Sequence, residues 1–212
     1  MTDGRIVPMF PLGTVLFPYA LLPLHVFEPR YRVMTRHVME GDHEFGVVLI
    51  ERGSEVGGGD VRFDTGTIAR VVQAAELPDG RYALATVGMK RLRVTRWLPD
   101  DPYPHAEVVA LADEPSHGAD DRDARARVVA ALEVVTALAQ RLDPRINDVP
   151  ALDDDPVRAS YEAAALAPIG PLDAQRVLEA ANAATRLELL TTLLGERADE
   201  LRARLHLDES GE

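Results

Sequence analysis

Leu22-Pro23-Leu24-His25-Val26-Phe27-Glu28-Pro29-Arg30-Tyr31 crosses from an extended run into a helix, and this transition organises the first half of the chain. Pro29 suits the first helical position, where its missing N–H would have no intrahelical partner. Tyr31, Met34 and Val38 then recur on one face and Gly41 closes the helix, which is expected to pack on a sheet. Upstream, Pro18 and Pro23 bracket Tyr19, Ala20, Leu21 and Leu22. The two rings hold this segment extended and remove backbone donors, so it reads as a presented loop rather than an inner strand. Downstream, Phe45-Gly46-Val47-Val48-Leu49-Ile50 is continuously apolar, as in a central strand covered on both faces. Gly53 to Gly59 is expected to be a mobile surface loop. Pro78-Asp79-Gly80 is a strong turn signal joining a strand at Arg70–Ala74 to one at Arg81–Val87. Arg91 to Leu98 alternates charged and apolar residues and predicts a further, half-buried strand. Residues 1–112 therefore read as mainly β with one helix.

The second half changes period. A polar stretch, Asp113 to Asp121, is expected to act as a connector. From Arg122 to Leu142, Val128, Leu132, Val135, Leu138 and Leu142 form one apolar stripe, and Asp143-Pro144 ends that helix. Asp155-Pro156 supplies a cap and a first-turn proline for a short helix to Ala165, stopped by Pro168 and Gly170. Asp173 is expected to cap a helix from Ala174 to Ala181. Leu187, Leu190, Leu194, Leu201 and Leu205 line a last helix from Ala183 to Leu205. The fold class is α+β, with a β-rich subdomain over 1–112, a connector over 113–121 and a helical bundle over 122–208.

Composition narrows the function. Its 212 residues suit one large domain or two small ones. Thirty-five acidic residues against 23 basic ones give a net charge of -12, a field that repels phosphate backbones and argues against nucleic acid. The imbalance is concentrated after residue 112, where 21 acidic residues face 11 basic ones. No cysteine is present, which excludes disulfides, thiolate metal sites and cysteine nucleophiles and fits a cytoplasmic chain. The apolar runs fall short of the roughly 20 residues of a membrane helix. Met1-Thr2-Asp3-Gly4-Arg5 lacks the basic start and apolar core of a secretion signal.

Taken in order, Met9-Phe10-Pro11-Leu12, Val15-Leu16-Phe17-Pro18 and the Leu22–Tyr31 run resemble the start of the amino-terminal substrate-binding domain of Lon proteases. The likeness continues through Phe45-Gly46-Val47-Val48, Gly66-Thr67-Ile68-Ala69, Asp79-Gly80-Arg81-Tyr82 and Gly88-Met89-Lys90-Arg91-Leu92. Gln175-Arg176-Val177-Leu178-Glu179 and Arg186-Leu187-Glu188-Leu189-Leu190 extend it over nearly the whole chain. Tyr19 departs from it, standing where the family often has glycine. The resemblance implies a PUA-like β pseudo-barrel followed by a helical bundle, and a recognition role: holding exposed apolar segments of unfolded or damaged proteins. Lon proteases continue into an ATPase and a serine-lysine peptidase. This sequence has no Gly-x-x-x-x-Gly-Lys-Ser/Thr run and one lysine, Lys90. The expectation is a standalone, non-enzymatic binding protein without a cofactor, with unfolded or damaged polypeptides, and a protease or chaperone, as partners.

Peptide capture needs apolar side chains that face solvent, because their burial supplies the binding energy. Tyr19, Leu21 and Leu22 are the first candidates, and Trp97 and Tyr103 the second; packing in the core or at the barrel end is the competing reading for both sets. Glu28, with His25 and Arg30, offers an alternative enzymatic reading. Against it, Glu28 suits hydrogen bonds from the helix amides and a pair with Arg30 or Arg32. The histidines His25, His37, His43, His105, His117 and His206 show no ligand spacing, and Asp153-Asp154-Asp155 lacks the glycine and glutamate of a calcium loop, so no metal site is expected. Arg91, Arg93 and Arg96 form a modest basic strand edge, the only motive for an RNA-binding alternative. The leucine face of the last helix is a candidate assembly device.

Overall fold

A computed structural model describes residues 4–53, 59–115 and 118–210. Residues 54–58 of the loop expected from Gly53 to Gly59, and His117, lie outside them. The chain divides into two compact units, Met1–Ala112 and Asp113–Glu212.

The first unit contains β1 (Arg5–Leu12), β2 (Leu21–Val26), α1 (Pro29–Glu40), β3 (Glu44–Arg52), β4 (Val61–Glu76), β5 (Tyr82–Trp97) and β6 (His105–Ala110). Strand order is β2-β5-β4-β3-β1-β6, with an added β5–β6 pairing. Because β6 pairs with both β1 and β5, the ring β1-β3-β4-β5-β6 closes. Among the described residues β2 is paired on one side only, with β5. The turn at Pro78-Asp79-Gly80 forms as its chemistry requires: Leu77 N–H donates to Arg81 O, Gly80 N–H donates to Leu77 O, and the Asp79 carboxylate accepts from Arg81 N–H. The strands it joins are longer than expected. Residues 81–87 and 91–98, read as two strands, are one, because Ala69 pairs with Gly88 and Ile68 with Lys90, leaving Met89 as a β-bulge. The bulge absorbs the break in alternation that looked like an end.

Helix α1 begins at Pro29 and ends at Gly41, whose N–H donates to Val38 O. Its Tyr31, Met34 and Val38 are buried, with Tyr31 stacked on Phe10 at 4.2 Å. They join Leu12, Val26, Phe45 and Val47 in one apolar cluster, while Met9, Val48, Ile68, Leu92 and Val94 form a second. Tyr103, a candidate ligand contact, belongs to the first cluster at 4% exposure, its hydroxyl 2.8 Å from His37 Nδ1 and its ring against His105. It is a core residue.

At the start of β3, the buried Glu44 carboxylate takes Arg5 at 2.6 Å and Arg70 at 2.7 Å. Burial pushes its pKa up, but the hydrogen bonds from the two guanidinium groups outweigh this and hold it below the ordinary value. A carboxyl depressed on folding stabilises the native state above its unfolded pKa of about 4.3 and loses that contribution as pH falls through the lower, folded value. Glu44→Gln is therefore expected to lower the urea midpoint at pH 7 and to converge on the parent protein as pH falls through the depressed, folded value. A constant difference from pH 7 to pH 3 contradicts this assignment.

The second unit comprises α2 (Gly118–Leu142), α3 (Pro156–Leu166), α4 (Pro171–Glu179) and α5 (Ala183–Ser210). Helix α2 starts inside the expected connector. Asp155 caps α3 by accepting from Arg158 N–H at 3.0 Å. Asp173 does not cap α4: Pro171 occupies the first turn and Gly170 the cap, which places Asp173 inside the helix, paired with Arg176 at 2.8 Å. Leu187, Leu190, Leu194, Leu201 and Leu205 are buried inside this unit, where α5 packs on α2, α3 and α4. The leucine face is consumed there, which removes it as an assembly surface. Arg186, fully buried, donates to Asp113 Oδ2 and, at 2.8 Å, to Ser160 Oγ, with Tyr161 stacked 3.8 Å away.

Candidate functional site

The site grows from β2, a strand at the end of the sheet order. Along β2, Leu21, Pro23 and His25 point outward while Leu22, Leu24 and Val26 turn inward, the period-2 alternation of a half-covered strand. Residues from Leu21 onward are thus an edge strand and not the loop expected from the prolines. Pro23 is tolerated because on the side without a neighbour its missing donor costs no ladder bond. Leu21 is 74% exposed. Leu22 packs against the first core cluster, which makes it an anchor of the strand rather than a ligand contact. Tyr19, 46% exposed, sits at φ +66° in the preceding turn. Its N–H donates to Gly88 O at 2.7 Å and Gly88 N–H returns a bond to Ala20 O at 2.9 Å, so β5 fixes where the turn points.

Phe27 continues the outward row past the strand end and is 54% exposed. It was not among the candidates. The signal was present: an apolar residue just before a helix cap normally packs on the fourth helical residue, and here that residue is Arg32. With no apolar partner inside, Phe27 faces out. Pro23, Phe27, Glu28 and Tyr31, floored by Phe10 and Leu12, enclose a cavity of about 180 Å³ along the open side of β2.

This cavity also gathers His25 and Glu28, the residues of the enzymatic alternative. Glu28 lies at the cap position but makes no cap hydrogen bond; its carboxylate instead accepts from Arg30 Nε at 3.2 Å. Burial pushes the Tyr31 phenol up to about 12, so it stays protonated at neutral pH and cannot serve as a base. Among the described residues no serine, threonine or lysine lines the cavity.

A second cleft, of about 520 Å³, opens at the other end of β5, lined by Asp60, Val61, Arg62, Asp64, Trp97 and Asp100. Trp97 is half-buried against the second core cluster, and its Nε1 donates to Asp64 Oδ1 at 3.2 Å. Arg62 lies 4.8 Å over its ring, tied to Asp60 and, at 3.0 Å, to Asp100. The two carboxylates hold Arg62 well above its ordinary pKa against the opposing effect of burial. Of the basic edge that motivated the RNA alternative, Arg91 is 3% exposed and donates to Ala112 O at 3.3 Å, Arg96 is exposed and paired with Glu107, and Arg93 is exposed. Among the described residues no group of three histidines or acids is placed to hold a metal ion, and no helix is long and apolar enough to cross a membrane.

Residues 6–196 match the family model of the substrate-binding domain of ATP-dependent protease La, or Lon. The chain belongs to the Lon substrate-binding domain family. Its relatives include Lon protease 2 of Herpetosiphon aurantiacus, 28% identical over 207 residues, which are 95% of this chain and 25% of that protein. Lon protease of Escherichia coli K12 is 26% identical over 199 residues, 92% of this chain and 25% of that protein. The chain thus spans about a quarter of the length of the curated relatives it matches. A crystal structure of a Lon N-terminal domain protein from Xanthomonas campestris superposes with a TM-score of 0.61 at 26% identity, covering 89% of this chain and 98% of that one. The N-terminal domain of Mycobacterium avium complex Lon protease shares the fold, with a TM-score of 0.62 at 16% identity over 90% and 98% of the two chains. The α+β architecture expected from the Lon resemblance is therefore the one observed.

Proposed function

We propose that this Lon-type domain is a binding module that takes up exposed apolar stretches of unfolded or damaged polypeptides by reversible association, without bond chemistry of its own, in the cytoplasm and in the service of a protease or chaperone. The observation that carries this reading is the outward row Leu21, Pro23, His25 and Phe27, apolar but for His25, with Tyr19 at its head, beside the cavity along β2. Soluble proteins seldom leave large side chains contiguous in solvent without an interaction to make. Covering Leu21 and Phe27 supplies about 1.5–3 kcal/mol each before the ordering of the client is subtracted, which suits a grip that releases. Because the contact is to side chains of general shape rather than to a defined polar pattern, it tolerates many client sequences.

Immobilised protein is expected to retain a reduced and alkylated, permanently unfolded client at least about tenfold better than the native form of the same client. The double variant Leu21→Ser/Phe27→Ser removes side chains already in water, so its melting temperature is expected to stay within about 2 °C of the parent while capture falls about tenfold. Equal retention of native and unfolded clients, or undiminished capture by the double variant, overturns the proposal.

A further inference from the structure

We infer that β2 takes its client as an added strand: an extended stretch of unfolded polypeptide pairs its backbone with the outer side of Leu21–Val26. This deepens the apolar-capture reading and rests on it. Two bonds fix which backbone groups are already in use. Gly88 N–H donates to Ala20 O at 2.9 Å and Thr86 Oγ1 donates to Leu22 O at 2.7 Å, so Leu22, Leu24 and Val26 turn their backbone groups toward β5. Backbone direction alternates along a strand, and Leu21, Pro23 and His25 therefore turn theirs away from it. Beside them lies the cavity of about 180 Å³ floored by Phe10 and Leu12. β6 pairs with β1 over residues 5–8, short of that floor, and no described strand runs along the outer side of β2.

The chemistry of this rim selects the occupant. Leu21 and His25 offer an N–H and a C=O each, and Pro23 a C=O, in the spacing of an antiparallel ladder that lacks its second strand. An extended client satisfies all of these groups. A compact small molecule does not, and the cavity of about 180 Å³ falls short of the roughly 300–1,000 Å³ such ligands occupy. A second copy fits less well, because two β2 edges paired about Pro23 set proline against proline and forfeit the central bonds. Unfolded chains of any sequence share a free backbone, whereas native proteins have theirs engaged in helices and sheets. An edge strand reads that difference, and the donor missing at Pro23 keeps the ladder short and reversible. Strand addition also sends alternate client side chains to opposite faces. One set lies beside Leu24 and Val26 over Phe10 and Leu12, where the space suits a large apolar side chain, and the other joins the outward row.

The test uses the whole protein and a blocked peptide carrying a leucine–threonine–phenylalanine–threonine–leucine run. In a companion series one amide at a time is replaced by an ester, which deletes an N–H and leaves every side chain in place. Replacements at every second position are expected to weaken binding about fivefold, and the intervening ones to change it less than about twofold. His25→Pro removes an outward N–H but no bond to β5, so its melting temperature is expected to stay within about 3 °C of the parent. This variant is expected to hold the peptide about fivefold more weakly than His25→Ala does. Ester effects that are uniform along the run, or absent, overturn the added strand. So does a concentration-dependent dimer that His25→Pro abolishes and the peptide fails to displace. Where the ester effects are uniform or absent but the Leu21→Ser/Phe27→Ser variant still releases the peptide, apolar capture stands and only strand addition falls. Failure of the unmodified peptide to bind removes both.

Discussion

Asp113→Ala is expected to destabilise the helical unit by about 3–5 kcal/mol, the cost of leaving a buried charge without its counter-ion. Arg186 has no solvent exposure, and Asp113 places a carboxylate on its guanidinium. Its contacts to Ser160 Oγ, Ala180 O and the Tyr161 ring are neutral and do not replace that charge. Tyr161 loses as well, because its hydroxyl donates to the other oxygen of Asp113 at 2.9 Å. For a unit of this size, 3 kcal/mol corresponds to a fall in melting temperature of about 12–20 °C, readable by calorimetry or helical circular dichroism. Removing both charges, as in Asp113→Asn/Arg186→Met, leaves nothing ionised to strand and is expected to recover a large part of the loss. A single variant that melts with the parent protein, or a double variant worse than the sum of its parts, contradicts a buried pair that holds the unit together.

Gly88→Ala is expected to damage both stability and capture. A Cβ at this position lies 2.1 Å from Phe17 O and 2.9 Å from Phe17 C, backbone atoms that cannot swing aside as the end of a side chain would. Relief requires moving the Phe17–Pro18 backbone away from β5, at a cost of about 2–3 kcal/mol. The same movement breaks the reciprocal bonds between Gly88 and Tyr19–Ala20, so the turn carrying Tyr19 and the start of β2 shift together. Client capture measured at a temperature where the variant remains folded is then expected to fall by about tenfold. Gly195→Ala is the control: it lies within α5, an added Cβ meets nothing within 4 Å, and the variant is expected to gain up to about 1 kcal/mol with unchanged capture. If Gly88→Ala and Gly195→Ala behave alike, the close approach at Phe17 does not constrain the chain.

Much of the fold was legible because it depends on neighbours in sequence. Pro29 and Gly41 bound α1, Asp155 and Pro156 open α3, and Pro78-Asp79-Gly80 turns β4 into β5, each through chemistry contained within four or five residues. The spacing of leucines in α5 identified its buried face without naming what covers it. The candidate site was legible only in part. Tyr19 and Leu21 are exposed where a presented apolar segment was expected, whereas Tyr103, bracketed by Pro102 and Pro104 in the same manner, is buried. Flanking prolines report that a segment is extended and poor in donors, and that holds for a solvent turn and a core-lining approach alike.

Local chemistry in the sequence determined the main helices and turns, and the resemblance of its motifs pointed to a Lon-type domain. Tertiary structure decided which face of each strand meets the core, that β2 is left at an edge, and that Asp60, Asp64 and Asp100 gather around Trp97 from positions 33 or more residues apart in two of their contacts. The reason is that alternation along a strand is symmetric with respect to its two sides. The closure of β6 onto β5 and β1 and the packing of α1 break that symmetry, and the closure depends on pairings between residues far apart in the chain.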